Sequence, residues 1–201
     1  IVYILQVMEL KPIIPIDLNV DQTNYYWFKE GFTLNEIKSI ENLSMDFPFE
    51  KATTISSNSE DKARKSQIKW LHLNPQTNWV YDKIIDMAIE ANTTWKFNLH
   101  SVIDSIQYTE YYEGGGQYDW HVDIGPKNIS HRKVSVTIQL SNSDEYEGGE
   151  LELWTGSGHY TMPRGKGVST FFPSFTMHRV TPVTKGTRKS LVLWIGGEHY
   201  K

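Results

Sequence analysis

Residues 118–123 read Tyr118-Asp119-Trp120-His121-Val122-Asp123, an alternation that is typical of a β-strand. Because side chains repeat every two residues along a strand, we expect His121 and Asp123 on one face. That face then offers an imidazole nitrogen and a carboxylate oxygen to a single ion. The pair alone is a weak signal, since a histidine in a sheet beside a solvated aspartate gives the same pattern.

A second histidine, His178, follows an apolar strand end and a proline turn in the run FFPSFTMH of residues 171–178. Two imidazoles and one carboxylate form the facial triad that holds non-haem Fe(II) and leaves coordination positions open. We therefore predict an iron site at His121, Asp123 and His178, and an oxygenase function. The rival ligand His131 lies in a polar turn.

A basic residue, Arg188, lies ten positions after the second histidine and opens another alternating run. Its predicted face carries Arg188, Ser190, Val192 and Trp194. A charge on an apolar face needs a partner, and a guanidinium can hold a carboxylate through two parallel hydrogen bonds. This favours a carboxylate-binding site, such as one for a dicarboxylate co-substrate; an arginine that reaches water at a strand end is the alternative.

Five blocks in order resemble the prolyl 4-hydroxylase-like branch of the 2-oxoglutarate/Fe(II)-dependent dioxygenases. They are YEGGGQYDWHVD (112–123), RKVSVTIQL (132–140), EGGEL (147–151), FPSFTMHRVTPV (172–183) and GTR (186–188). The resemblance covers residues 100–197, about half the chain. It implies a β-rich (α+β) fold, a double-stranded β-helix or jelly roll with the metal at its open end. We expect one domain over residues 1–201, in which residues 1–100 supply helical support and first strands and residues 101–197 the catalytic core.

The resemblance also implies roles for single residues. His121, Asp123 and His178 take the iron, and Arg188 binds the distal carboxylate of 2-oxoglutarate. The remaining expectations are a second contact from Ser190, a co-substrate hydrogen bond from Tyr112, an amide at Gln139 where several members have a tyrosine, and an inward aromatic at Trp194. Plain core packing explains Trp194 equally well.

The reaction implied by the resemblance is hydroxylation with O2, in which 2-oxoglutarate becomes succinate and CO2. Fe(II) is the cofactor, and L-ascorbate is a further activator. The expected substrate is a prolyl residue of a peptide or protein, and Trp120, Trp154 and Trp194 could line a groove for it. A free amino acid or small metabolite is the alternative substrate. A non-catalytic metal- or sugar-binding jelly roll is the alternative class, which an intact triad with Arg188 disfavours.

Composition excludes several other classes. The 201 residues contain no cysteine, so disulfides, thiolate catalysis and cysteine metal sites are excluded. A formal net charge of −4 gives no footprint for nucleic acid, and we interpret the basic cluster Lys62, Arg64, Lys65 and Lys69 as a solvated face. Residues 1–10 are apolar but too short to span a bilayer and lack a basic leader. We expect an opening strand there, no membrane contact and a cytoplasmic location.

The first hundred residues predict the supporting elements. Thr33 and Glu36 form a capping box, with Phe32 and Ile37 as its hydrophobic staple, which predicts a helix over residues 34–42. Residues 79–91 predict a second helix with an apolar stripe at Val80, Ile84, Ile85, Ala88 and Ile89. The alternation of Trp95, Phe97 and Leu99 predicts a strand, and the polar residues 50–66 a loop or lid.

Overall fold

The helices and strands of this computed structural model lie within residues 23–52 and 63–199, the parts of the chain that the structure describes. The helices are α1 (Leu34–Ser44), α2 (Asn78–Ala91) and a short 3-10 helix (Lys127–His131). The strands are β1 (Tyr26–Phe28), β2 (Glu50–Lys51), β3 (Arg64–Lys65), β4 (Gln67–Leu71), β5 (Leu99–Val102), β6 (Ile106–Tyr112), β7 (Gly116–His121), β8 (Arg132–Gln139), β9 (Tyr146–Gly148), β10 (Leu151–Trp154), β11 (His159–Thr161), β12 (Ser169–Pro173) and β13 (His178–Gly197).

The long strand β13 joins two antiparallel sheets. Its second part lies in the larger sheet, where the strand order is β1-β12-β8-β13-β6-β4-β2 and β5 also pairs with β13. Its first part pairs with β7, β9 and β10 in the smaller sheet, to which β3 and β11 add the edges. This arrangement confirms the predicted β-rich, double-stranded β-helix. Strands β1 to β4 show that the first hundred residues contribute to both sheets.

Alternation along the strands of the larger sheet separates a helix-facing core from the interior between the sheets. On β13, Leu191, Leu193 and Ile195 belong to the main apolar core together with the buried faces of α1 and α2. The intervening residues of the same strand face the other side. The helices therefore cover the outer face of the larger sheet, as predicted, and leave its inner face for polar groups.

The capping box predicted for α1 is present. The Glu36 amide donates to the Thr33 hydroxyl (3.3 Å), and the Thr33 amide donates to the Glu36 carboxylate (2.7 Å). The staple residues Phe32 and Ile37 are both buried in the main core. The helix runs to Ser44, two residues beyond its predicted end.

Replacing Thr33 by alanine should lower the free energy of unfolding by about 1 kcal/mol, because the amide that the hydroxyl satisfies loses its partner. Thr33→Ser keeps the hydroxyl and should stay close to the parent protein. Urea denaturation followed by circular dichroism measures both changes. Equal stability of the alanine and serine variants would show that this cap contributes nothing.

Helix α2 begins one residue before its predicted start, and its buried stripe differs in part from the prediction. Val80, Ile84 and Ala88 are buried as expected, whereas Ile89 is 60% exposed. Ile89 lies nine residues after Val80, and at 3.6 residues per turn that places it on the opposite side of the helix. Tyr81, Met87 and Ala91 complete the buried face instead.

The strand predicted at Trp95 and Phe97 is wrong, the loop predicted over residues 50–66 is wrong in part, and the predicted opening strand is not described. Trp95 and Phe97 do not belong to a strand: Lys96 has a positive φ (56°), which interrupts extended backbone, and β5 begins only at Leu99. Part of the expected loop over residues 50–66 is strand, at β2 and β3. Residues 53–62 and the predicted opening strand over residues 1–10 lie outside the described residues.

No helix of the described residues is long and apolar enough to cross a membrane. The cytoplasmic location stays a prediction.

Candidate metal centre and its cavity

The three predicted ligands converge between the two sheets. His121 ends β7, His178 begins β13, and the two residues are direct partners in the ladder between these strands. The Nε2 atoms of His121 and His178 lie 3.7 and 3.5 Å from the two carboxylate oxygens of Asp123. One ligand atom from each residue can be chosen so that all lie within 4.8 Å of one another. The arrangement could hold one metal ion.

Both imidazoles present the nitrogen that a metal needs. Nδ1 of His121 lies 2.7 Å from the Asp119 carbonyl oxygen, and Nδ1 of His178 lies 2.9 Å from that of Thr176. A carbonyl only accepts, so each Nδ1 donates, and this hydrogen bond orients each ring with its Nε2 toward Asp123, as in metal sites. Burial, followed by electrostatic repulsion from His178, lowers the pKa of His121 to about 3. His121 is therefore neutral at neutral pH.

The carboxylate is buried and ionised. Burial by itself raises the pKa of Asp123, but the His178 and His121 imidazoles and a hydrogen bond from the Ser135 hydroxyl (2.6 Å) outweigh it and lower the pKa. The Asp123 amide also donates to the Ser174 carbonyl (2.9 Å), which fixes the backbone. One carboxylate with two imidazoles is the donor set that suits Fe(II).

The reason for the convergence differs from the one inferred from the sequence. Asp123 is not in the strand, because β7 ends at His121. In the β13–β7 ladder, two steps from His178 to Val180 correspond to three steps from His121 to Tyr118, which marks a β-bulge. The bulge turns Tyr118 to the same side as His121, and their rings stack with centroids 3.4 Å apart.

The inner end of the cavity contains a buried cation. Arg188 is 2% exposed, and its Nη1 donates a long hydrogen bond (3.4 Å) to the Ser190 hydroxyl. Within residues 23–52 and 63–199, no carboxylate oxygen lies within 4 Å of its guanidinium. The predicted face of Arg188, Ser190, Val192 and Trp194 does line this cavity together with the triad. A buried guanidinium without a counter-charge is suited to an anionic ligand.

The structure does not bring Tyr112 to the cavity. Its side chain is 37% exposed, and its hydroxyl donates to Glu110. The register pairs Arg188 with Tyr111, which is 3% exposed, lines the cavity and has its ring centroid 5.5 Å from the Arg188 guanidinium carbon. The residue of β6 that faces the cavity is therefore Tyr111, one position before the predicted Tyr112, because one residue reverses the side of a strand.

The residues at positions 139 and 194 lie near the cavity as expected. Gln139 is buried beside Arg188 in a small adjoining pocket, and its amide donates to the Tyr146 hydroxyl (2.9 Å). Trp194 is 6% exposed, and the Arg132 guanidinium lies 3.8 Å above its ring. Trp194 thus lines the cavity and is also packed.

The groove predicted from three tryptophans does not form. Trp120 packs edge-on against Trp154 (6.0 Å) and under the Arg179 guanidinium (4.7 Å). Neither Trp120 nor Trp154 lines the cavities next to the triad, and Trp194 does. Neighbouring residues of a strand point to opposite sides, and His121 and Leu153 point inward. The adjacent side chains of Trp120 and Trp154 therefore point outward.

Outside the triad, the cavity widens into a mouth of about 500 Å³. Arg64 and Lys69 do not lie on the solvated basic face that the sequence predicts. Arg64 lines the mouth and the inner cavity, and Lys69 is 7% exposed and donates to the Ser44 carbonyl (2.7 Å). The other residues that line the mouth include Glu50, Trp70, Asp104, Gln107, Tyr118, Val122, Ile124, Ile129, Arg132 and Trp194.

Comparison with known proteins gives a family match for the part of the chain that carries these residues. Residues 106–196 match the family model described as the 2OG-Fe(II) oxygenase superfamily. A PKHD-type hydroxylase of Teredinibacter turnerae is 42% identical over 89 residues, which are 42% of this chain and 39% of that protein. The aligned part therefore spans about two fifths of this relative's length.

Solved structures share the fold. A prolyl-4-hydroxylase of Pseudomonas putida superimposes with a TM-score of 0.69 at 16% identity, over 87% of this chain and 93% of that chain. A prolyl hydroxylase of Trichoplax adhaerens, solved with a peptide fragment of the hypoxia inducible factor oxygen degradation domain, gives 0.69 at 18% identity over 86% and 83%. At these identities the likeness concerns the fold.

Proposed function

We propose, from the premise that residues 106–196 belong to the 2OG-Fe(II) oxygenase superfamily, that this chain is a hydroxylase of prolyl residues in a peptide or protein. Its cofactor is Fe(II), and its co-substrates are 2-oxoglutarate and O2. The hydroxylation places one oxygen atom of O2 in the substrate and the other in succinate, and 2-oxoglutarate loses CO2. Ascorbate is an activator within this proposal.

One observation carries the proposal: a triad of two imidazoles and one carboxylate shares a cavity with a buried arginine that has no carboxylate partner in the described residues. A metal-binding or sugar-binding module would have no use for such an arginine, because a buried charge without a ligand costs free energy. A dicarboxylate co-substrate gives the arginine its counter-charge.

The residues of the cavity fall into those that would bind Fe(II), those that would bind 2-oxoglutarate and those that line the wall. His121, Asp123 and His178 would hold Fe(II), which supplies the activation of oxygen when bound. Arg188 would bind the distal carboxylate of 2-oxoglutarate, with Ser190 beside it. Tyr111 has its ring beside that guanidinium, and Trp194 closes the wall near the triad. The carbonyl groups of Asp119 and Thr176 fix the ring orientation of the two histidines.

The choice of a prolyl substrate rests on the solved structures. The two structures above are a prolyl-4-hydroxylase and a prolyl hydroxylase, the latter with a peptide fragment. A mouth of about 500 Å³ has room for a ring and its neighbours along a chain. A free amino acid or small metabolite remains the alternative substrate within the same reaction.

The experiment measures succinate release with Fe(II), 2-oxoglutarate and ascorbate across proline-containing peptides and free amino acids. Peptide-stimulated succinate together with one added oxygen atom on proline supports the proposal. Stimulation by free amino acids alone would favour a free amino acid over a peptide as the substrate. Absence of succinate with iron bound would contradict the oxygenase reaction itself.

Within this proposal the Tyr111 hydroxyl, in the cavity beside Arg188, donates a hydrogen bond to 2-oxoglutarate. Replacing Tyr111 by phenylalanine should therefore raise the apparent KM for 2-oxoglutarate by roughly 3- to 10-fold, the effect of one lost hydrogen bond. Tyr112→Phe is the matched control, since its hydroxyl donates to Glu110 outside the cavity and its loss should leave KM unchanged. Steady-state succinate assays measure both. A larger effect from Tyr112→Phe would restore the sequence-based choice.

A further inference from the structure

We propose that the substrate of this enzyme carries a negatively charged carboxylate close to the carbon that reacts, and that Arg64 binds it. This inference rests on the proposed function and deepens it, because it names a chemical class of substrate. The sequence contains no local signal for it, since Arg64 belongs to a basic cluster that looks solvated.

Arg64 is held at the junction of the mouth and the inner cavity. It lies in β3, directly opposite Tyr118 in the β3–β7 pairing, and its guanidinium carbon is 4.7 Å from the centre of the Tyr118 ring. That ring in turn stacks on His121. The guanidinium therefore stands two stacked rings away from the candidate metal position.

The protein uses only part of this guanidinium. Nε donates to the Ser66 hydroxyl (3.0 Å), and Nη2 donates to the Gln107 side-chain carbonyl (2.6 Å). Both partners are neutral. A guanidinium has five N–H groups, and in the described residues the other three make no hydrogen bond to protein. Two parallel donors are therefore left for one carboxylate.

Among the residues that the structure describes, the remaining charges around the cavity cancel without Arg64. Asp104 pairs with Arg132 across the mouth. When Fe(II) and a doubly charged 2-oxoglutarate are bound, their charges sum to zero with those of Asp123 and Arg188. Glu50 lines only the mouth and is exposed, so water solvates it. Within the described residues, the charge of Arg64 is therefore not balanced, and Arg64 lines the same cavity as the triad.

A bound substrate makes this surplus charge important. Arg64 is half-buried in the free protein, so water in the mouth solvates its open edge. A substrate that fills the mouth displaces that water, and a neutral substrate would leave a desolvated cation. A carboxylate replaces the lost solvation with charge-assisted hydrogen bonds. The chain carries a formal net charge of −4, so this preference comes from the local site.

A carboxylate can reach this position from two sources. One is the side chain of an acidic residue next to the hydroxylated residue in a peptide, and the other is the free carboxylate of an amino acid. For each of these two sources, the test compares a charged compound with a neutral compound of nearly the same shape, its neutral twin. The first pair is N-acetyl-Ala-Pro-Asp-Ala-amide against its Asn counterpart, and the second is N-acetyl-L-proline against N-acetyl-L-prolinamide.

Binding is measured by intrinsic tryptophan fluorescence, because Trp70 and Trp194 line the mouth. The protein is loaded with Fe(II) and saturated with 2-oxoglutarate under anaerobic conditions, which prevents turnover and blocks Arg188. We expect at least one charged probe to bind 10- to 100-fold more tightly than its neutral twin. Arg64→Gln should reduce this ratio to below about 3, and Arg64→Lys should retain part of it. Lys185→Gln, which removes a 72% exposed cation elsewhere, should change nothing.

Three results would overturn the inference: equal binding of charged and neutral twins, a preference that survives Arg64→Gln, or no binding of any of the four probes at millimolar concentration. Failure of this inference can be distinguished from failure of the proposed function. Succinate release stimulated equally by neutral and acidic peptides would leave the hydroxylase proposal standing and refute the anionic substrate. A preference for charged probes without any succinate release would support a carboxylate ligand at Arg64 and refute the hydroxylase proposal.

Discussion

Replacing His178 by alanine should abolish succinate release from 2-oxoglutarate, both with and without a substrate. His178 supplies one of three protein ligands, and its Nε2 lies 3.5 Å from the Asp123 carboxylate. Loss of this imidazole leaves one imidazole and one carboxylate, which is too few to hold Fe(II) in a buried site. Loss of a residue that merely orients a ligand costs 10- to 100-fold in metal affinity, so loss of a ligand should cost more than about 100-fold.

The measurement is best made on the metal as well as on activity. Titration with Co(II) gives a visible absorption band from the bound ion, which separates failed binding from failed chemistry. His131→Ala is the matched control, because His131 interacts with the Gly197 carbonyl and the His199 ring and is not part of the triad. A His178→Ala protein that binds Co(II) and turns over like the parent would show that the ligand set is wrong.

Replacing Arg188 by alanine should raise the apparent KM for 2-oxoglutarate by roughly 30- to 1,000-fold. Truncation of one partner of a buried, hydrogen-bonded charge pair costs about 2–5 kcal/mol, because the other charge is left buried and unpaired. The binding of Co(II) should persist, since Arg188 does not contact the triad ligands in the structure. Arg188→Lys should fall between the two, because a lysine keeps the charge but loses the planar fork.

The neighbouring residue provides the control for Arg188. Lys189 lies on the same strand with opposite side-chain direction, and it pairs with Glu41 on the outer side of the sheet (3.5 Å). Lys189→Ala should leave KM unchanged. In thermal unfolding, 2-oxoglutarate should raise the Tm of the parent and of Lys189→Ala but not of Arg188→Ala. An Arg188→Ala protein with unchanged KM would place the co-substrate elsewhere.

The sequence predicts the parts of the site that depend on alternation within one regular strand. Arg188, Ser190, Val192 and Trp194 share a face of β13 because that strand is regular from Thr187 to Trp194 in its pairing with β6 and β8. Tyr112, which the resemblance implied as a co-substrate contact, has the opposite parity on β6 and lies outside the cavity, whereas Tyr111 lines it. The pairing of Arg188 with Tyr111 establishes this parity, and a sequence alone does not show which residues are paired.

Other features depend on contacts between distant parts of the chain. The bulge between Tyr118 and His121 arises from pairing with β13 and leaves no pattern in the residues themselves. Arg64 reaches the cavity because β3 pairs with β7, and Ser135 reaches Asp123 from β8. Local propensity predicts the two helices well, whereas these long-range pairings determine which polar groups surround the metal position.

The strand that joins the two sheets also restricts how the chain can change in length. The segment of β13 from Arg188 to Trp194 sends alternate side chains to the cavity and to the helix-packed core. Insertion or deletion of one residue within it would turn one end of the segment toward the wrong side and bury its polar groups among leucines. A substitution here changes the contacts of one side chain, whereas an insertion or deletion of one residue exchanges the cavity-facing and core-facing sides of the strand. We therefore expect length differences among related chains to collect in turns such as residues 155–158, and to spare this strand.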